Sequence, residues 1–238
     1  MTPTGPVHFI HLGGSFHWQH ARAIKTATVH DAPIWLWYAD AIPPTPRTWD
    51  CLETNVSLRP LDLPDWLRDH PIQLANVKDL YAWKILHQHG GLYLDLDTIS
   101  LRPVWDLLTR DVLVSLEIDP DDDYRNEHPY NSAAVAARKG APVLTRLHDE
   151  AERLLLDGVA QWGSCGPRNL TYHVGENPDV FDVAPFGVMN GWRDGTIRRY
   201  YAGERPGPHV RIAHLFSSSN MGAFLADRWM PETTRVAA

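Results

Sequence analysis

The rhythm of apolar and polar positions changes along the chain, and the changes mark its elements. Val7 to Leu12 alternate loosely and run into Gly13-Gly14, which predicts a strand ending in a permissive turn. Trp18 to Val29 reads as a helix, and Ile34-Trp35-Leu36-Trp37-Tyr38 is almost wholly apolar, as a strand buried on both faces is. Strand, helix, strand at the start of the chain predicts a Rossmann-like βαβ half of the kind that binds nucleotides. Six prolines between Ala41 and Pro71 predict an irregular connector. Leu74, Val77, Tyr81 and Ile85 then recur at helical steps, predicting an amphipathic helix with Asn76 as a candidate N-cap and Gly90-Gly91 as its stop. The next segment, Leu92-Tyr93-Leu94-Asp95-Leu96-Asp97, alternates strictly. A strand there puts three leucines on one face and Tyr93, Asp95 and Asp97 on the other. Val112 to Leu116 reads as a strand, Ala141 to Leu156 as a helix and Val210 to Leu215 as the last strand. The class is α/β.

Length and composition narrow the picture. The chain has 238 residues, 44% hydrophobic and 21% charged, with no internal repeat. One domain over residues 1–238 is expected, with a core large enough to need no staple. The formal charge, 22 − 29 = −7, disfavours a polyanion binder, although 18 arginines leave room for a basic face. Cys51 and Cys165 cannot form a disulfide framework, and Met1 to Pro6 lack the features of a signal peptide, so a cytoplasmic setting is expected. No apolar run is long enough for a membrane span. The ten tryptophans, Trp18, Trp35, Trp37, Trp83, Trp162 and Trp192 among them, read as core.

Asp95 and Asp97 carry the chemistry. On a strand their Cα atoms lie about 6.5 Å apart on one face, close enough for both carboxylates to serve one divalent cation. Burying two adjacent carboxylates without a cation is costly. The bare Asp-x-Asp pattern is weak, because 21 aspartates give about two such pairs by chance. Asp119, Asp121 and Asp123 read as a solvated acidic loop. Asp95 and Asp97 differ by context: helix, double glycine, apolar strand, then acids at the strand's carboxyl end, where open α/β sheets bind ligands.

The segment Asp79-Leu80-Tyr81-Ala82-Trp83-Lys84-Ile85-Leu86 with His89-Gly90-Gly91-Leu92-Tyr93-Leu94-Asp95-Leu96-Asp97 resembles the sugar-binding region of DXD-motif glycosyltransferases. That group includes Golgi mannosyltransferases, capsular polysaccharide transferases and, remotely, glucosylating bacterial toxins. Val7 to Gly14, Asn131-Ser132-Ala133, Gly166-Pro167, and His214 before Ser217-Ser218-Ser219-Asn220 resemble further landmarks. The resemblance implies a GT-A-like fold, a mixed but mostly parallel sheet flanked by helices. It implies a nucleoside-diphosphate sugar donor, UDP-linked, and Mn²⁺ or Mg²⁺ as cofactor. Asp97 and His214 would be metal ligands, with Asp95 on the ribose or the metal's water shell. Leu12, Gly13 and Gly14 would dock the base and ribose, Ser219 and Asn220 the diphosphate, and Asp79 the donor sugar. Asn131 is a further candidate catalytic residue. The resemblance also implies retention of configuration, with the leaving phosphate helping to deprotonate the acceptor and no protein nucleophile.

Plainer roles stand beside these. Asp79 also fits a helix cap, His214 a half-buried histidine, Gly13-Gly14 and Asn131 ordinary turns, and Glu117 either an acceptor-side group or a surface charge. Two departures from the pattern stand out: Ala82 where the family has arginine, with Lys78 or Lys84 as substitute cations, and Met221 near the place of a tryptophan. The expected activity is therefore a metal-dependent retaining glycosyltransferase acting on a hydroxyl of a small molecule, glycan or protein, or less favourably a modified nucleic-acid base. A sugar-nucleotide-binding protein without turnover and a metal-dependent diphosphate hydrolase are the alternatives.

Overall fold

A computed structural model describes residues 4–39, 56–68, 74–117, 128–192 and 196–231. The expectations for Cys51 and for the Asp119 to Asp123 pairs lie outside these residues. The main sheet has the order β3-β2-β1-β4-β7-β6-β8. Its strands are β1 (Val7–His11), β2 (Ile34–Tyr38), β3 (Val56–Pro60), β4 (Gly91–Leu94), β6 (Val112–Leu116), β7 (Tyr130–Ala137) and β8 (Phe181–Ala184). Only β7 runs against the rest, pairing antiparallel with both β4 and β6. The other pairings are parallel. A separate antiparallel ribbon joins β5 (Thr98–Ser100) to β9 (Ile212–His214), with Thr98 opposite His214.

Both faces of the sheet's central strands are covered, which is why they read as apolar runs, whereas β3 at the edge is largely exposed. On one face Ile10, Tyr93, Val112, Val114 and Val135 pack against α3 (Leu74–His89) and α4 (Pro142–Leu156). On the other Phe9, Leu36, Leu92, Leu94 and Leu113 meet α1 (Trp18–Thr26) and Trp105. The remaining helices are α2 (Asp65–Arg68), α5 (Asn169–Glu176), α6 (Arg198–Tyr201) and α7 (Ser217–Ala226). No helix among the described residues is long and apolar enough to cross a membrane.

Several expectations give way here. The proline-rich connector contributes β3, a sheet-edge strand where Pro60 costs no ladder bond. The helix α3 is not amphipathic. It lies between the sheet, α4 and the turn Ser164–Arg168, so Asn76 and Asp79 are buried with Val77, Leu80 and Trp83, while Leu74 is exposed. Asn76 does not cap: its amide donates to the Gln161 carbonyl at 2.9 Å. β4 ends at Leu94, so Asp95 and Asp97 sit in the turn to β5 rather than on the strand. Thr98 closes that turn, donating through its N–H (3.1 Å) and Oγ1 (2.8 Å) to the Asp95 carbonyl. The leucine face nevertheless holds, since Leu96 packs with Leu92 and Leu94. The last strand, β9, leaves the main sheet to pair with β5. Trp83 and Trp192 are core, but Trp162 is 66% exposed, against expectation.

Two glycines shape the approach to the acids. Gly91 has φ +97°, and a Cβ there would lie 2.0 Å from the Pro6 carbonyl oxygen. Gly166 packs flat against α3, and a Cβ on it would fall 2.2 Å from Asp79 Oδ2 and 2.7 Å from Ser132 Oγ.

Candidate functional site

The carboxyl ends of β1 and β4, the start of β7 and the ribbon β5/β9 surround a cavity of about 360 Å³. Asp95 and Asp97 come from the β4–β5 turn, His214 from the end of β9, and Lys78 and Asp79 from α3. Ligand atoms of Asp95, Asp97 and His214 all lie within 4.8 Å of one another. Two carboxylates and an imidazole in that arrangement form a mixed oxygen–nitrogen donor set that could hold one divalent cation.

The protein balances these charges internally. Asp95 accepts from Lys78 Nζ at 2.6 Å and from the Tyr93 hydroxyl at 2.5 Å. Asp97 accepts the Ser217 backbone N–H at 2.8 Å and lies 3.4 Å from His214 Nε2. Burial pushes the Asp97 carboxyl upward, but His214, the Ser217 N–H and Lys78 outweigh it and hold it well below the usual carboxylate range. Burial likewise lowers His214, but Asp97 holds it above its ordinary value. For Lys78 burial is outweighed by Asp95 and Asp79, and the ammonium is stabilised. A divalent ion at this cluster would take over the charge balance that His214 and Lys78 supply to Asp97.

Asp79 behaves differently. Burial pushes it up to about 7; Lys78 and a 3.2 Å bond from Ser132 Oγ oppose this, and Asp95 adds to it. A carboxyl raised in this way can accept hydrogen bonds when ionised and donate one when protonated. Asn131 organises the histidine side: its Nδ2 lies 3.0 Å from Glu117 Oε2, 3.3 Å from Asn190 Oδ1 and 3.3 Å from His214 Nδ1. Its Oδ1 accepts the Ala133 N–H at 2.5 Å, which fixes the amide orientation.

The cavity thus gathers Asp79, Asp95, Asp97, Asn131, His214 and Ser219. Leu12 and Gly13 line a smaller hollow of about 170 Å³ that shares Ile10, Ala75 and Lys78 with it. Gly14 lines neither, and a Cβ there would meet open space. Asn220 turns away, donating to the Phe216 carbonyl at 3.2 Å where α7 kinks. Of the substitute cations, Lys78 enters the site, whereas Lys84 is exposed and lies over the Tyr81 ring. Ala82 is buried in the core and reaches no part of the cavity. Glu117 belongs to the site. Ser132, His20 and the Ser217 N–H belong to it as well, and of these only His20 lies outside the segments that carry the sequence resemblance. Burial pushes His20 down to about 4, so it faces the cavity neutral.

No protein-family model matches the chain. Over 100 residues it is 25% identical to Glucan organizing enzyme 1 of Cryptococcus neoformans var. grubii, a stretch covering 42% of this chain and 27% of the fungal protein. Solved structures resemble most of it. The PaToxG glycosyltransferase superposes with a TM-score of 0.52 at 16% identity, covering 73% of this chain and 68% of its own. The glycosyltransferase GlyE of Streptococcus pneumoniae TIGR4 gives 0.55 at 15% identity, covering 91% and 55%. The chain therefore spans about half of GlyE's length and has the fold of these glycosyltransferases: a mostly parallel seven-stranded GT-A-like sheet flanked by helices.

Proposed function

We propose that the chain is a metal-dependent retaining glycosyltransferase using a nucleoside-diphosphate sugar, UDP-linked as the sequence resemblance suggests. The observation that carries this reading is the convergence of Asp95, Asp97 and His214 at the carboxyl edge of a sheet shared with glycosyltransferases. Mn²⁺ or Mg²⁺ at the cluster would offset the charge that grows on the leaving diphosphate.

In this reading Asp97 and His214 hold the ion, and Asp95, fixed by Lys78 and Tyr93, meets the ribose or the ion's water shell. Lys78 supplies the positive charge that the family draws from arginine. Asp79, braced by Ser132, holds donor-sugar hydroxyls. Leu12 and Gly13 border the base and ribose, and Ser219 borders the diphosphate. Asn131 keeps the His214 ring in place. The acceptor oxygen bonds to the anomeric carbon as the bond from that carbon to the phosphate oxygen breaks, and the acceptor's proton passes to the leaving phosphate.

Thermal melting with a panel of nucleoside diphosphates and their sugars, with and without Mn²⁺, tests the donor site. Mn²⁺-dependent stabilisation by one nucleotide class supports the proposal, and its absence for every nucleotide removes the donor site. Product analysis then separates transfer, which forms a glycoside, from hydrolysis, which yields free sugar, and from binding alone, which yields neither.

A further inference from the structure

The C-terminal part of the chain packs a satellite core of its own, in which Trp192, Ile197, Tyr200, Ala213 and Phe224 are buried. Beside it lies a second large hollow, of about 350 Å³, which shares no lining residue with the ion-cluster cavity. Its apolar lining is Trp192, Val210 and the half-buried Phe186. Its charged lining reverses the sign of the chain as a whole. Against a net charge of −7, the hollow sets Arg199, Arg205 and His209 beside one acid, Glu204.

The charges around it are already matched, except one. Glu204 accepts from Arg199 Nε at 2.7 Å, Asp227 pairs with Arg22, and Asp106 pairs with Arg211. Among the described residues no carboxylate pairs with Arg205. Its guanidinium instead lies 5.0 Å from the centre of the Trp229 ring and 5.5 Å from that of Tyr200. Both residues are anchored to Asp227, the Tyr200 hydroxyl donating to it at 2.5 Å and the Trp229 N–H at 3.0 Å. An arginine held on aromatic faces keeps its N–H edge for a planar or tetrahedral oxyanion. His209 is set close to the backbone by two glycines: a Cβ would come within 2.9 Å of its ring at Gly207 and 3.3 Å at Gly187.

We propose that this hollow is a second ligand site, taking a small organic anion. Its phosphate or carboxylate group meets Arg205, and its flat apolar body lies against Trp192 and Phe186. The inference stands apart from the transferase reading, whose donor belongs at the ion cluster that this hollow does not touch.

The test is calorimetric titration of the full chain after passage over a chelating resin. Phenyl phosphate and phenylacetate are the probes, and their comparison identifies the head group. Inorganic phosphate and benzyl alcohol supply the head and the ring alone. Without an ion, the donor cavity sets Asp79, Asp95, Asp97 and Glu117 against Lys78 and His214, and so disfavours anions. At least one organic anion should bind about fivefold more tightly than inorganic phosphate and than benzyl alcohol, the scale of an aromatic contact added to a charged one. Arg205→Gln should weaken it about tenfold, as loss of a charge-assisted contact does. Glu204→Gln releases Arg199 and should tighten it about threefold. Both positions are exposed and lie outside the donor cavity, so Mn²⁺-dependent melting shifts with nucleotides should match wild type in both variants. Should Arg205→Gln not fold, the opposite sign expected of Glu204→Gln decides alone. Absence of binding by either organic anion overturns the inference. So does benzyl alcohol binding as tightly as the anions, indifference to both substitutions, or an Arg205→Gln loss that falls equally on the nucleotide.

Discussion

Replacing Gly166 by alanine should damage the site without replacing any of its ionisable groups. The new methyl would sit 2.2 Å from Asp79 Oδ2, 2.6 Å from its Cγ and 2.7 Å from Ser132 Oγ. Ordinary contact for a Cβ begins at 3.4 Å, so Asp79 must retreat by about 3.4 − 2.2 = 1.2 Å or the Ser164–Arg168 turn must lift by as much. Asp79 has little room, since α3 is buried around it and Ser132 holds its other oxygen. Overpacking of this kind costs about 1–3 kcal/mol of stability. A displacement on the order of 1 Å in a group that positions substrate lowers turnover about a hundredfold. Asp97 and His214 are held by different partners, the Ser217 N–H and Asn131, so Mn²⁺-dependent nucleotide binding should change by less than about threefold. The assay is transfer, or donor hydrolysis in the absence of acceptor, set beside nucleotide-dependent melting for the same variant. Wild-type turnover would refute the placement of Asp79 at the donor sugar. Equal loss of nucleotide binding would refute the separation of the two sub-sites.

Three other outcomes follow from the same geometry. Asp97→Asn keeps an acceptor for the Ser217 N–H but removes the charge, so Mn²⁺-dependent stabilisation by nucleotides should vanish; its survival in melting curves would exclude Asp97 as a ligand. Gly91→Val places a Cβ against Pro6 in backbone that valine avoids, and urea denaturation should show a loss of at least about 3 kcal/mol, a neutral result refuting the turn. His30 is buried and pushed down to about 4 by desolvation, so the folded protein refuses a proton that the unfolded chain takes up near 6.5. Its contribution is present above that pH and is lost as pH falls toward 4, costing about 2 kcal/mol between pH 7 and 5. Asp79, raised by burial, acts in the opposite sense, so the measurement is the difference between wild type and His30→Asn: the acid loss should shrink by that amount, and an unchanged pH slope would show His30 to be protonated in the fold.

The sequence carried the framework of the site better than its details. Leu92 to Asp97 announced the acids because alternation survives in the packing of Leu92, Leu94 and Leu96 on one face. Their position in a turn was hidden, because Thr98 leaves the main sheet to pair with His214, a contact made far along the chain. Nothing in the sequence pattern marks β7 as a strand. Ala133, Ala134, Ala136 and Ala137 have low strand propensity, and their extended form is imposed by neighbours on both sides. The burial of Asn76 and Asp79 defeated the helical pattern because the sheet, α4 and the Ser164–Arg168 turn enclose most of α3, where apolar periodicity loses its meaning. The exposure of Trp162 was illegible for the converse reason: a large aromatic normally reports core, and only the three-dimensional course of the loop sets it apart.

The ribbon of β5 and β9 also orders events in time. Asp97 is completed by Ser217, 120 residues further on, and α7 beyond it is clasped to α1 by Arg22 on Asp227 and Gln19 on the Leu225 carbonyl. During synthesis the early strands β1 to β4 can pair before that segment has left the ribosome. Such a nascent chain would hold its aspartates without the histidine, and the cluster of Asp95, Asp97 and His214 would not yet exist. Completion of the C-terminal clasp would thus be the moment at which the site is assembled.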